Sequence, residues 1–327
     1  MINGVINVYK EAGFTSFDVV AKLRRILNIK KIGHTGTLDP DAVGVLPVCV
    51  GNATRLVDML TDETKEYVAI MRLGVVTDTQ DMSGNVLSAD EEAARKISID
   101  EVSSVVSSFR GEILQVPPMY SALKVNGQKL YDLARKGIEV ERKARPVTVH
   151  NIFVAKLNDI EYSLRVECSK GTYIRTLIND IGEKLGCGAS MSHLERTRVG
   201  RFKKEDAFKL ADIEKMVNNL RGVDDFKAPY DEEVLFTKKV FLKVDSILDK
   251  YEAIWINEDG IKALSNGNQL QLSQINTSKN EENINGGDKI EFIGQKMYRV
   301  YDIDNNFRAV YIYNSKRRCL EVDKMFM

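Results

Sequence analysis

The stretch Gly33-His34-Thr35-Gly36-Thr37-Leu38-Asp39-Pro40-Asp41 decides how the rest of the chain is read. Two glycines, a proline and two threonines in nine residues specify a tight, ordered loop, not a helix or strand. Within it Asp39 sits between apolar Leu38 and rigid Pro40, and the proline biases Asp39 toward an extended backbone. A carboxylate held in this way can serve as nucleophile, base or metal ligand. It can equally cap the helix or turn that follows, and the loop alone leaves these roles open.

The flanks of the loop are regular. Residues 4–9 (GVINVY) read as a short strand, and Lys10 opens the turn after it. Thr15 and Asp18 have capping-box spacing before the apolar positions Val19, Val20, Leu23, Ile26 and Leu27, which predicts a helix. That helix ends in a basic run of Lys22, Arg24, Arg25, Lys30 and Lys31; such a run is a solvated face or an anion-binding one. After the loop, residues 43–50 (VGVLPVCV) are nearly all apolar and predict a buried strand.

Downstream, residues 67–73 alternate, with Tyr67, Ala69, Met71 and Leu73 on one face. A polar loop at 74–84 carries Asp78 and Asp81, and its Thr and Gln residues suit turn chemistry more than a metal site. Residues 147–154 and 162–169 both alternate and predict an antiparallel pair. The turn 170–175 (KGTYIR) then leads into a helix with its core stripe on Ile174, Leu177, Ile178, Ile181 and Leu185. Arg175 lies off that stripe at the helix start, where it opposes the helix dipole and calls for an anionic partner.

Charge is unevenly placed. The 47 basic and 47 acidic residues cancel, which excludes a uniformly basic nucleic-acid binder but says nothing of local patches. Residues 116–145 carry a net +4 together with Tyr120 and Tyr131, an interleaving that suits RNA backbone contact and base stacking. An ordinary helical hairpin would show the same composition. Residues 196–204 (RTRVGRFKK) hold five basic residues and no acid. Residues 205–260 then turn acidic, 226–230 (FKAPY) read as a linker, and short strands at 289–292, 297–303 and 307–313 predict a small second β domain. An Asn-rich stretch at 276–287 interrupts it.

Four cysteines without metal or disulfide spacing fit reduced thiols in a cytoplasmic protein, and three histidines make a His-based metal site improbable. No signal-peptide pattern is read at the start, and no apolar stretch has membrane-spanning length.

Four blocks together resemble one family: 33–48 (GHTGTLDPDAVGVLPV), 65–84 (KEYVAIMRLGVVTDTQDMSG), 116–140 (VPPMYSALKVNGQKLYDLARKGIEV) and 168–189 (CSKGTYIRTLINDIGEKLGCGA). They resemble the TruB family of bacterial-type tRNA pseudouridine-55 synthases. The end of the chain, with Asn266-Gly267 and Asp323-Lys324-Met325-Phe326, more weakly resembles that family's PUA domain. The resemblance implies an α+β pseudouridine synthase fold, a mixed and largely antiparallel sheet with flanking helices, plus a small C-terminal PUA-like β-barrel. It divides the chain into a catalytic domain at 1–230, with an RNA-gripping insertion at 116–145, and an RNA-binding domain at 236–327. It implies detachment of uracil from ribose, rotation of the base and rejoining through C5, on a nucleotide flipped out of a folded loop. No cofactor or metal is expected.

On the same resemblance, Asp39 is the catalytic nucleophile or base. Arg175 pairs with it and is expected to lower its pKa. Tyr67 stacks on the uracil and takes part in proton transfer. Tyr173 and Leu194 form the floor under the base, Asp81 hydrogen-bonds the flipped nucleotide, His34 fills the space the base leaves, and Lys10 supports the active-site loops. The expected partner is the T-arm stem-loop of tRNA, with no guide RNA and no membrane, and the family suggests a monomer. Two alternatives are a guide-dependent rRNA pseudouridine synthase and an RNA-binding, tRNA-folding protein with little catalysis.

Overall fold

The computed structural model describes residues 2–125, 127–221, 230–277 and 292–327. Its centre is a nine-stranded sheet. Along the main path, the strands Gly4–Lys10, Val43–Val50, Ala189–Val199, Lys65–Leu73, Glu161–Cys168, Arg145–Lys156 and Gly111–Gln115 lie side by side in that order. All neighbours on this path run antiparallel except Val43–Val50 and Ala189–Val199, so the expected mixed, largely antiparallel sheet is present.

Local sequence explains the elements nearest the loop. Thr15 caps the helix Ser16–Leu27, and Asp18 reciprocates, completing the capping box; Val19, Val20, Leu23, Ile26 and Leu27 turn inward. In Lys65–Leu73, alternate residues are buried, as a strand between two partners and under one helical layer requires. The helix Ile174–Leu185 ends on Gly186 at φ 79°, a left-handed cap that glycine adopts without strain. Its inner stripe packs in one core with Tyr67, Ala69, Met71, Tyr162 and Leu164.

The strand Ala189–Val199 has no counterpart in the sequence reading, although it joins the two halves of the sheet. Its parallel contact with Val43–Val50 depends on Gly44. At φ 112°, a Cβ there would lie 2.2 Å from the carbonyl oxygen of Arg196, so only glycine lets the two strands touch.

A second, six-stranded sheet follows, in the order Leu270–Gln271, Cys319–Met325, Phe307–Asn314, Met297–Tyr301, Glu252–Ile256, Ile275–Asn276. It forms the barrel-like C-terminal unit that the PUA resemblance implies. Between the two sheets the local structure differs from the expected one. Strands are anticipated from Phe236, but Glu232–Thr237 and Val244–Ile247 are helical. Leu235, Val240 and Phe241 pack with the helix Ser16–Leu27, and Leu242 pairs with Val5. Apolar burial therefore ties the chain up to Leu248 to the first sheet. The second sheet in turn sends Val310 and Phe326 into a cluster with Val45, Leu56 and Phe202. The expected linker at 226–230, strand at 289–292 and Asn-rich stretch at 276–287 fall largely outside the described residues.

Candidate active site

The Asp39 loop is tied down at nearly every residue. The Leu38 N–H donates to Ser16 Oγ at 2.9 Å, at the start of the first helix. Gly13 N–H donates to the Pro40 carbonyl at 3.1 Å, and Thr35 N–H to that of Pro47 at 3.1 Å. Lys10, sealed from water at the end of its strand, directs its ammonium at the carbonyls of Ala42 (2.6 Å), Pro40 (2.9 Å) and Glu11 (3.2 Å). Burial pushes the Lys10 amine down to about 8, against the pull of Asp39 and Asp41. Lys10 is thus occupied with the carbonyls of the loop and its flanks.

Out of this cradle Asp39 presents a carboxylate that is 41% exposed. Buried Arg175 reaches it from the second residue of the helix Ile174–Leu185, its Nη2 standing 3.4 Å from both carboxylate oxygens. The same guanidinium lies 3.5 Å from Asp81 and donates to the carbonyl of Tyr120. Arg175 therefore has the anionic partner its position demands, and a second one besides. Surrounding protein raises the Asp39 carboxyl above its ordinary range, Arg175 pulls it down, and Asp81 pushes it up again. Arg175 thus lowers the Asp39 carboxyl as expected, while desolvation sets the net direction.

Asp81 is itself held. Its carboxylate accepts from Thr79 Oγ1 at 2.7 Å and from the Ser83 N–H at 3.0 Å, so the turn chemistry read at 74–84 is what aims it. Tyr67 is buried in the strand Lys65–Leu73, facing Arg196 across the pairing, and burial raises its phenol while Arg196 lowers it. Leu194 lies buried in the same core as Tyr67 and Leu38. Tyr173 is half-buried immediately before the Arg175 helix. His34 ends the strand Ile32–His34, its Nδ1 accepting from the Gly36 N–H at 3.3 Å, and burial pushes its pKa down. Asp39, Arg175 and Asp81 are thus joined directly, and Asp39's charge reaches both Tyr67 and Tyr173.

Residues 24–174 match the profile described as the TruB family pseudouridylate synthase N-terminal domain, and residues 175–248 match the tRNA pseudouridylate synthase B C-terminal domain. The chain belongs to the TruB family. It is 42% identical to tRNA pseudouridine synthase B of Clostridium novyi (strain NT) over the full length of both chains. It is 48% identical to tRNA pseudouridine synthase B of Lachnoclostridium phytofermentans, again over both full lengths. Among solved structures, a chain of an H/ACA RNP bound to a substrate RNA containing 2'-deoxyuridine superposes with a TM-score of 0.68 at 27% identity, covering 99% of this chain and 85% of that one. A chain of a Cbf5-Nop10-Gar1 complex gives 0.67 at 28% identity over the same shares.

Two side chains near the site escape the sequence reading. Gln115, buried at the end of its strand, clamps the backbone of Tyr173: its Oε1 accepts from the Tyr173 N–H at 2.8 Å and its Nε2 donates to the Tyr173 carbonyl at 3.0 Å. No sequence pattern marks it. Arg196 is read as part of a basic surface run, yet it is 1% exposed. A signal exists, since Leu194 and Arg196 alternate onto one face. Most of the rest of that run is paired with the protein's own acids, Arg198 with Glu167 at 2.6 Å, Arg201 with Asp249 at 2.9 Å and Lys204 with Glu195 at 2.6 Å.

Proposed function

We propose that this chain is a tRNA pseudouridine synthase that isomerises uridine-55 in the T-arm loop. The observation that carries the reading is the Asp39–Arg175 pair, a water-reachable carboxylate on a cation at 3.4 Å, in a chain of the TruB family. In this reading the target base is flipped out of the T loop. Asp39 acts on the ribose or the base as nucleophile or base while the C1'–N1 bond breaks, the uracil turns, and a C1'–C5 bond forms. Arg175 keeps the carboxylate oriented and charged against its desolvation. Tyr67 stacks on the uracil, and its hydroxyl takes part in moving the C5 proton toward N1. Tyr173 and Leu194 support the base from below, Asp81 hydrogen-bonds the flipped nucleotide while bracing Arg175, and His34 takes the vacated space. Because the loop is fixed before substrate arrives, little of the binding energy is needed to orient Asp39.

We also propose that the chain works as a monomer without guide RNA, with 116–145 gripping the T arm and the C-terminal sheet adding a distant contact. Support comes from the full-length similarity to bacterial tRNA pseudouridine synthase B chains, well above that to the guide-complex chains. The test is incubation with an unmodified tRNA transcript and no other RNA. Pseudouridine at position 55 alone is expected. Failure without guide RNA, with activity restored by adding one, would favour the guide-dependent alternative. Tight tRNA binding without turnover would favour the folding-protein alternative.

A further inference from the structure

Arg196 is the cross-strand neighbour of two strands at once, facing Gly44 on one side and Tyr67 on the other. Its Nε donates to the carbonyl of Val45 at 2.7 Å and its Nη2 to that of Gly36 at 3.2 Å. Those two carbonyls lie on either side of Asp39 in the chain. Residues directly opposite in an antiparallel pair project to the same face, which puts the Tyr67 side chain on the face of the guanidinium, and the Arg196 charge lowers the Tyr67 phenol. The contacts of the guanidinium among the described residues are thus neutral oxygens, an expensive arrangement for a sealed charge. Its field reaches further, lowering the pKa of His34 and of Lys10. Arg175, by contrast, meets carboxylates and is half of the site already described.

We infer that Arg196 is a positioning residue, one guanidinium that fixes the chain on both sides of Asp39 and the Tyr67 hydroxyl relative to each other. Asp39 and Tyr67 come from different parts of the sheet, and their spacing has no covalent or backbone guarantee. The rigid, planar fork of an arginine can hold three acceptors in fixed directions, whereas an ammonium on a flexible stem cannot. Displacing one of two cooperating groups by a fraction of an ångström slows chemistry without loosening substrate. The inference rests on the proposed pseudouridine-forming activity for its kinetic readout only.

The experiment uses the full chain with Arg196→Lys, Tyr67→Phe and the double variant. Single-turnover pseudouridine formation, tRNA affinity and amide exchange of residues 35–42 are measured for each. Arg196→Lys is expected to slow the chemical step at least tenfold with tRNA affinity within threefold of wild type. In the Tyr67→Phe background the same substitution should slow it by a clearly smaller factor, because part of what Arg196 does passes through that hydroxyl. Amides of 35–42 should exchange faster in Arg196→Lys. An equal factor in both backgrounds, or unchanged rate and exchange, overturns the inference. Should Arg196→Lys fail to fold, Tyr67→Phe alone decides: loss of the shared acceptor must speed exchange in 35–42, and unchanged protection there overturns it. If wild type itself makes no pseudouridine, the proposed function fails, while the exchange result still judges the anchor.

Discussion

Replacing Lys10 by Met should cost the fold little and the chemistry much. The folded amine titrates at about 8 against 10.5 in water. Keeping it protonated in place therefore opposes folding by roughly 3 kcal/mol at neutral pH, at about 1.4 kcal/mol per pH unit. Methionine relieves that term and fills nearly the same volume. Against this, the Ala42 carbonyl loses its 2.6 Å donor, and a buried acceptor left unpaired costs about 1–3 kcal/mol. The Pro40 carbonyl keeps the Gly13 N–H, so its loss is smaller. The terms nearly cancel, and denaturant unfolding should show a change within about 2 kcal/mol. The loop, however, loses the tie between its two flanks on either side of Asp41, and about 1 Å of freedom at Asp39 is worth on the order of 100-fold in rate. Single-turnover pseudouridine formation should fall by about that factor with tRNA affinity retained. A pH series gives an independent check. Between pH 8 and 10.5 the unfolded chain still holds the proton that the folded chain has released, so wild-type stability gains on the variant as pH rises through this window and is level with it below. Lys65, also pushed down to about 8, is present in both and drops out of the difference. A variant with the wild-type rate, or one destabilised by more than about 4 kcal/mol, would refute the reasoning.

Asp39→Asn keeps size and loses charge, so turnover should be undetectable while tRNA binding changes less than about threefold, the affinity carried by phosphate contacts elsewhere; near wild-type product formation would remove Asp39 from its role. Arg175→Met takes away the main influence holding the Asp39 carboxyl down, so the acid limb of the pH–rate profile should move to higher pH and the rate at neutral pH should fall at least 100-fold; an unmoved limb would count against the pair. Charge reversal of Lys129 and Arg135 together should weaken tRNA binding and reduce its salt slope by about two, while Arg201→Glu, whose parent already pairs with Asp249, should leave that slope nearly unchanged. A chain ended after Lys250 should still modify a T-arm hairpin but bind whole tRNA more weakly, and should melt lower because Val310 and Phe326 leave the cluster around Val45 and Leu56; loss of hairpin activity in a folded truncation would assign the second sheet a part in the active site.

How much of this can be read from the sequence depends on whether a local signal survives tertiary context. The capping box at Thr15 and Asp18, the alternation at 67–73 and the helical stripe from Ile174 to Leu185 are local, and each lies where the pattern places it. The strand Ala189–Val199 hides because two register shifts, between Met191 and His193 and between Arg196 and Arg198, break the two-residue period. An arginine at an inward position hides it further. Residues 232–248 lie within the acidic stretch 205–260, which suggests a surface segment, but Leu235, Val240 and Phe241 are core. For the site, Asp39 is announced by its loop and Arg175 by its unfavourable helix position, whereas Gln115 is defined only by the Tyr173 backbone that folding brings to it.

The distribution of charge shows why composition misleads about an RNA-binding surface. A chain of net charge zero can grip a polyanion only where its cations are not already neutralised by its own acids. Residues 196–204 have the denser basic sequence, yet Arg198, Arg201 and Lys204 are paired and Arg196 is buried, which leaves Lys203 exposed without an ion pair among the described residues. In 116–145 the density is lower and acids are interspersed. Even so, Lys124, Lys129, Arg135, Lys136, Lys143 and Arg145 are exposed, and among the basic residues described there only Arg142 forms an ion pair, with Glu139. Lys129 and Arg135 both lie over the ring of Tyr131, 5.2 and 5.6 Å from its centre. What separates the two runs is the strand pairing. Arg198 stands opposite Glu66 and Lys203 on neighbouring strands, within a sheet that brings acidic side chains alongside, while the 116–145 segment rises off the sheet between Gly111–Gln115 and Arg145–Lys156 with few neighbours to answer its charge. Counterion release on binding phosphate is available to the second set and already forfeited by most of the first.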